Sequence, residues 1–223
     1  MPTVPLFPLR TVLVPGLVLP LHIFEPRYRL MIRTVSEAPE DERGFGIVAI
    51  RPGADPETSG RAALYDVGTM ARITSFEALP DGRFDLVTVG ARRFTLESVN
   101  HDLPYPRAEV SLHAESVGDE SNARALGATA IRLLGQYRTV IAGWGVIDMA
   151  EIADLPEDPI VLSYLIASAI VTDLPERQRL LGIADAEQRL AAVCEVLRRE
   201  IAVMATLPSM PAVDLAATPT FAN

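Results

Sequence analysis

Prolines interrupt the apolar segment near the N-terminus and limit what it can fold into. The segment runs from Leu6 to Ile32, is rich in strand-forming residues, and is broken at Pro8, Pro15, Pro20 and Pro26. A proline lacks the backbone N–H that a central strand must donate to its neighbours. We therefore expect short, edge-like strands on either side of a turn at Val14-Pro15-Gly16.

Residues 1–117 are predicted to be mostly β. After a short helix that follows Pro26, we expect a buried strand at 44–51, an irregular loop at 52–62 and a hairpin around Pro80-Asp81-Gly82. Gly90 marks a bulge or a tight bend in the next strand. Many short strands joined by proline and glycine turns indicate a closed or nearly closed barrel.

Residues 118–207 are predicted to be helical, because the apolar period changes from two to about 3.6. Asp158, followed by Pro159, is a typical helix N-cap, and Asp185 is predicted to cap a long last helix. Residues 208–223 contain three prolines and no periodicity. We expect this tail to be disordered.

Composition excludes several function classes. The formal charge of −9 argues against nucleic acid as a partner, since such partners usually require a basic face. All 20 basic residues are arginine, so no Schiff base or serine–lysine dyad can form.

The cellular location is predicted to be the cytoplasm, because the chain has one cysteine, Cys194, and no recognisable signal peptide. The apolar run Ile160–Val171 is shorter than the roughly 20 residues that span a bilayer, so no membrane segment is expected.

Catalytic signatures are missing from the sequence. It contains no Gly-x-Ser-x-Gly elbow, no His-Glu-x-x-His motif and no closely spaced cysteines. His113 and Glu115 could offer two metal ligands on one strand face, but nothing nearby supplies the others. We therefore expect no catalytic residues, no metal and no cofactor. A histidine-based triad built from distant residues stays open.

A charged aromatic cluster after the second predicted strand is the candidate binding site. Its members are His22, Phe24, Glu25, Arg27 and Tyr28. Arginine and aromatic side chains are favoured at binding hot spots. The alternative is a structural corner, in which Pro26 ends the strand, Tyr28 packs inward and Glu25 pairs with an arginine.

Two parts of residues 1–117 resemble the N-terminal substrate-binding domain of Lon protease. The first matches at Pro8-Leu9, Val12-Leu13, Pro15-Gly16, Pro20-Leu21 and Ile23-Phe24-Glu25-Pro26-Arg27-Tyr28. The second matches at Gly68-Thr69, Asp81-Gly82-Arg83, Gly90 and Arg93-Phe94. The helical segments are similar as well, so the resemblance extends over nearly the whole chain.

The resemblance implies an α+β fold, with an N-terminal PUA-like β-barrel (1–117) followed by a C-terminal α-helical bundle (118–207). It also implies polypeptide binding, because this region helps full-length Lon to capture substrate proteins. Full-length Lon continues into ATPase and serine–lysine protease modules, and this chain stops before both. We therefore expect a stand-alone, non-enzymatic form.

Three functions stay open at this point. The first is a module that binds unfolded or specific protein substrates, as an adaptor or holdase that works with a separate protease or chaperone. Its groove would lie between barrel and bundle, with residues 52–63 and the proline corner at the rim. The second is a small-ligand binder or unrecognised enzyme with a pocket between the two halves, using His22, Glu25 and Arg27. The third, RNA binding, is disfavoured by the acidic charge. The oligomeric state does not follow from the sequence.

Overall fold

The structure is a computed structural model that describes residues 1–142 and 155–206. It combines a mixed sheet with several helices, in agreement with the expected α+β class. The strands are β1 (Thr3–Leu9), β2 (Val18–Ile23), β3 (Gly44–Ala49), β4 (Val67–Ala78), β5 (Phe84–Asn100) and β6 (Arg107–Leu112). The helices are α1 (Pro26–Ser36), α2 (Pro56–Ser59), α3 (Glu120–Ala142), α4 (Pro159–Ala169), α5 (Leu174–Gly182) and α6 (Ala186–Thr206). Short 3-10 turns lie at Glu40–Glu42 and Gly60–Ala63.

The six strands form one sheet in the order β2-β5-β4-β3-β1-β6. β1 and β3 are parallel, and the other neighbours are antiparallel. The first half of the long β5 pairs with β2 on one side and β4 on the other, and its second half pairs with β6. The pairings of β5, β4, β3, β1 and β6 therefore form a closed circuit, and β2 lies at its edge.

The N-terminal prolines lie at positions where no neighbouring strand needs a backbone N–H donor. Pro20 is in β2, whose partner strand is β5. Pro8 is in the part of β1 that follows its pairing with β6, which involves only Thr3–Pro5. Pro26 is the first residue of α1, where a helical N–H would have no partner in any case. These prolines therefore lie at a sheet edge or near the ends of strands and helices, as the sequence predicts.

The hairpin around Pro80-Asp81-Gly82 joins β4 and β5, as predicted. The bulge predicted near Gly90 is confirmed, because the register between β4 and β5 shifts at the point where Ala71 pairs with Gly90. A Cβ atom on Gly90 would lie 2.2 Å from the Val14 carbonyl oxygen. Glycine is therefore required there for the close approach of the two backbones.

Residues 52–62 contain more regular secondary structure than the predicted loop. They contain α2 and then the start of the Gly60–Ala63 turn. The Asp55 carboxylate accepts a hydrogen bond from the Glu57 N–H at 2.9 Å, and Pro56 occupies the first turn of the helix. An aspartate N-cap followed by proline is a helix-start signal, and it corrects the loop prediction.

The helical half has its own apolar core, formed mainly by α3, α4 and α6. The apolar stripe of α3 is buried in it, and its buried residues are Ala130, Leu133, Leu134, Tyr137 and Ile141. Leu126 of the same stripe is partly buried. Asp158 caps α4 by accepting from the Ile160 N–H, and Asp185 accepts from the Gln188 N–H in the first turn of α6. Both predicted N-caps are therefore confirmed.

A buried arginine joins the sheet to the helices. Arg93 of β5 is only 1% exposed. Its guanidinium donates to three carbonyl oxygens at the end of α5 and just after it, those of Leu181, Ile183 and Ala184, at 2.6–3.0 Å. It also donates to the Glu115 carboxylate at 2.7 Å. These bonds fix the position of β5 relative to the helices.

A second buried arginine faces the same carboxylate. Arg189 of α6 donates to the Ser163 hydroxyl at 2.7 Å and to Glu115 at 3.4 Å. The Tyr164 hydroxyl donates to Glu115 at 2.9 Å, and burial raises the pKa of Tyr164 above its ordinary value. We call Arg93, Glu115, Tyr164 and Arg189 the junction cluster.

The described elements follow the expected order along the chain. All six strands end by Leu112, and α3 to α6 begin at Glu120 or later. The division into subdomains at 117/118 stays a prediction. The tail 208–223 lies outside the described residues. Across 1–142 and 155–206, no helix has the length and apolarity needed to cross a membrane.

Candidate functional site

A cleft of about 830 Å³ opens beside the N-terminal end of α1. Apolar side chains from several separate segments line it, including Phe7, Leu9, Leu21, Ile50, Val99 and Pro104. The end of β2, the first turn of α1 and the α2 segment add polar groups to this lining. An apolar cavity with a few convergent polar side chains is the usual form of a binding site.

All five candidate residues of the sequence line this cleft: His22, Phe24, Glu25, Arg27 and Tyr28. The structural corner is present as well, because Pro26 starts α1, Tyr28 is buried and Glu25 pairs with Arg27. The two interpretations are therefore compatible. The same corner that ends β2 presents Phe24, which is 61% exposed.

One arginine lies between two carboxylates at the cleft. Arg27 donates to Glu25 at 2.9 Å and to Glu57 of α2 at 3.1 Å. Its guanidinium also lies 4.8 Å from the centre of the Tyr28 ring. Burial raises the pKa of the Tyr28 phenol, so this hydroxyl stays protonated at neutral pH. We call Glu25, Arg27 and Glu57 the cleft cluster.

His22 is held by partners on both ring nitrogens. Its Nδ1 lies 2.6 Å from the Asp85 carboxylate, and its Nε2 lies 3.1 Å from the Arg83 guanidinium. Because arginine can only donate, Nε2 accepts that hydrogen bond and Nδ1–H donates to Asp85. The imidazole stacks on the Phe24 ring with centroids 6.3 Å apart. His22 thereby supports one face of Phe24.

Several lining residues were missed by sequence reasoning. Val99, His101, Pro104 and Pro106 come from the end of β5 and the connection to β6. They reach the cleft through the β5–β6 and β1–β6 pairings, and no local sequence signal indicates that approach. Residues 52–63, predicted as part of a rim, do contribute, through Asp55, Pro56, Glu57, Thr58 and Gly60.

The cleft does not lie at the predicted place between the two halves. Every residue that lines it precedes Arg107. Two cavities at the junction of the halves, one lined by Val12 and Leu180 and one by Pro15 and Tyr164, measure about 50 Å³ each. Apolar packing of Val12, Val14, Tyr164 and Leu181 occupies this junction. A site between the halves therefore stays a prediction.

The cleft offers apolar surfaces, charged side chains and a few hydroxyl and imidazole groups. Its hydroxyl side chains are those of Tyr28 and Thr58, and its titratable groups include His22 and His101. Among the described residues, no group of three histidine, cysteine or acidic side chains is placed to hold a metal ion. Such a lining can contact apolar side chains and charged groups of a ligand.

Curated relatives of the chain are Lon proteases. A Lon protease of Anaeromyxobacter dehalogenans is 32% identical over 200 residues, which represent 88% of this chain and 23% of that protein. Lon protease 2 of Myxococcus xanthus is 31% identical over 200 residues, with the same coverage. The chain therefore spans about a quarter of the length of these relatives.

Solved structures show that the fold is shared with Lon N-terminal domains. A Lon N-terminal domain protein from Xanthomonas campestris has a TM-score of 0.58 and 22% identity, and covers 93% of this chain and 100% of its own. The N-terminal domain of the Mycobacterium avium complex Lon protease has a TM-score of 0.63 and 19% identity, and covers 90% and 98%.

A family match extends over most of the chain. The model of the ATP-dependent protease La (LON) substrate-binding domain matches residues 3–199 of the 223. This range includes the closed circuit of strands, the cleft, the junction cluster and most of α6. The resemblance drawn from the proline-rich segment is thereby confirmed, and the chain belongs to the ATP-dependent protease La (LON) substrate-binding domain family.

Proposed function

We propose that this chain is a non-catalytic module that binds unfolded or specific protein substrates in the cleft, as an adaptor or holdase. The observation that carries the proposal is the open cleft of about 830 Å³, with apolar walls and the exposed Phe24, in a member of a substrate-binding family. A cavity of this size accommodates several side chains of a peptide.

Phe24 supports the proposal through its exposure. An aromatic side chain that is 61% exposed beside a cleft has apolar area to bury against a ligand. Full burial of such a side chain contributes roughly 1.5–3 kcal/mol. The stacked His22 ring limits the motion of Phe24, which reduces the entropy lost on binding.

The edge of β2 offers backbone groups to the same ligand. Among the described residues, β2 pairs with β5 alone, so its other edge has N–H and C=O groups without a strand partner. An extended peptide can add to such an edge. Leu21 and His22 belong to β2 and line the cleft, so an added strand would lie next to it.

The same proposal includes a PUA-like β-barrel and an α-helical bundle as the two parts of the fold. The closed circuit of five strands supports the PUA-like β-barrel, and the shared core of α3, α4 and α6 supports the helical bundle. The absence of lysine supports a non-enzymatic role. The stand-alone form, the cytoplasmic location and cooperation with a separate protease or chaperone stay predictions.

A small-ligand binder or unrecognised enzyme is the second candidate. It is favoured by the Asp85–His22 pair at the cleft, because a carboxylate that orients an imidazole is a common element of general-base sites. Arg83 already occupies His22 Nε2, which makes this candidate the weaker one.

The first experiment measures binding of a permanently unfolded, fluorescently labelled polypeptide, with its folded form as control and without ATP. We expect saturable binding of the unfolded form alone. The Phe24→Ala variant should weaken that binding about tenfold or more, the equivalent of roughly 1.5 kcal/mol.

Phe76→Ala provides the matched control, since Phe76 is also an exposed aromatic residue but lies on β4 and does not line the cleft. It should bind like the unchanged protein. Equal binding by all three proteins would exclude the cleft as the site. No binding up to about 50 μM, or roughly −6 kcal/mol, would exclude the capture function.

A further inference from the structure

The charges that line the cleft are unbalanced. Three carboxylates, Asp55, Glu25 and Glu57, line it, and Arg27 is the guanidinium among the lining residues. Arg27 is shared between Glu25 and Glu57, so one unit of positive charge faces two of negative charge. With neutral histidines, the lining therefore carries a net charge of −2, since three carboxylates and one guanidinium contribute −3 and +1.

The acidic groups are accessible to a ligand. The Glu57 side chain is 70% exposed and the Glu25 side chain 40% exposed. Arg27 contacts Oε1 of Glu57 and Oε2 of Glu25, and each carboxylate has a second oxygen. A carboxylate has acceptor capacity for several donors. A cationic group of a ligand can therefore bind at the rim without displacing Arg27.

We infer that the cleft prefers polypeptide segments in which an aromatic or large aliphatic residue is flanked by lysine or arginine. This inference rests on the proposed function and adds the substrate class. The apolar residue enters the cleft beside Phe24, and the flanking cation pairs with Glu57 and Glu25 at the rim.

Charge complementarity favours this occupant over other peptides. Acidic flanks would meet the uncompensated carboxylates, and like charges across an interface oppose binding. Exposed ion pairs are individually weak, but two of them are enough to rank peptides that share one apolar anchor.

The test uses three labelled peptides that differ only in the residues on both sides of a central phenylalanine, which are lysine, glutamine or glutamate. Affinities are measured by fluorescence anisotropy at low and at high salt. We expect the lysine peptide to bind about fivefold or more tightly than the glutamine peptide, and the glutamate peptide to bind most weakly. The difference should shrink at high salt.

Glu57→Gln should reduce the preference for lysine, whereas Glu195→Gln, an exposed change on α6 in the other half, should leave it unchanged. Equal affinity for the three peptides, or tighter binding of the glutamate peptide, would overturn this inference and leave the capture function intact. Failure of all three peptides and of the unfolded polypeptide to bind would overturn both.

Discussion

The molecule contains two clusters of arginine and glutamate that differ in their access to water. In the junction cluster, Arg93 and Arg189 are at most 1% exposed and share Glu115, whose side chain is 20% exposed. In the cleft cluster, Arg27 is 37% exposed and Glu57 is 70% exposed. The same two residue types therefore have different tasks in the two places.

The difference follows from the energetics of ion pairs. A buried charge needs nearly all of its hydrogen bonds from the protein, and removing one partner leaves it unpaired in a medium of low polarity. Water replaces a lost partner at an exposed pair, which contributes little to stability. The junction cluster therefore stabilises the contact between the two halves. The exposed residues of the cleft cluster can form ion pairs with a ligand instead of with one another.

The largest expected effect is that of Glu115→Gln. It leaves two buried guanidinium groups without a carboxylate, and we expect a loss of about 3 kcal/mol in the free energy of unfolding. Chemical denaturation measures this loss. Glu25→Gln in the cleft is the matched control and should change stability by less than about 1 kcal/mol. Similar losses in the two variants would remove the distinction between the clusters.

Tyr164→Phe should have an intermediate effect. It removes a hydroxyl that donates to Glu115 at 2.9 Å, a hydrogen bond to a charged group, and we expect a loss of about 1.5 kcal/mol. The comparison is Tyr28→Phe in the cleft, which keeps the ring contact with Phe7 at 4.3 Å between centroids. That variant should unfold at nearly the same denaturant concentration as the unchanged protein. An unchanged midpoint for Tyr164→Phe would contradict the prediction.

The smallest expected effect is on the pH dependence of stability. Burial, followed by the charge of Arg93, lowers the pKa of His113 below its ordinary value. Because the folded pKa is depressed, the stabilisation is complete above the unfolded pKa of about 6.5 and is lost as the pH falls through the folded pKa. Denaturation midpoints measured from pH 7.5 to 5 should decline less steeply for His113→Gln than for the unchanged protein. Identical slopes would argue against this contribution.

Much of the secondary structure could be predicted because its signals are local. The prolines determine where strands end, Asp158 and Asp185 mark helix starts, and Gly90 marks the bulge. The five candidate residues could be grouped because they all lie within residues 22–28, at one corner of the chain. A reader of the sequence can see such features without knowing which strands pair.

The location of the cleft and the partners of Arg93 could not be predicted. Val99 and Pro104 approach Leu21 only through the closed circuit of strands, and strand order is not encoded in local periodicity. Arg93 donates to carbonyl groups 88 to 91 residues away in the chain. Main-chain acceptors have no sequence signature, so these contacts across the junction of the halves could not be predicted.

The central claim is that protein substrates bind in the cleft and that the junction is structural. Hydrogen exchange of the full chain, with and without the unfolded polypeptide, tests it most directly. We predict that the ligand slows exchange in β2 and in residues 55–60 and leaves α5 and the start of α6 unchanged. Protection confined to the helical half, with β2 exchanging as in the free protein, would contradict this account.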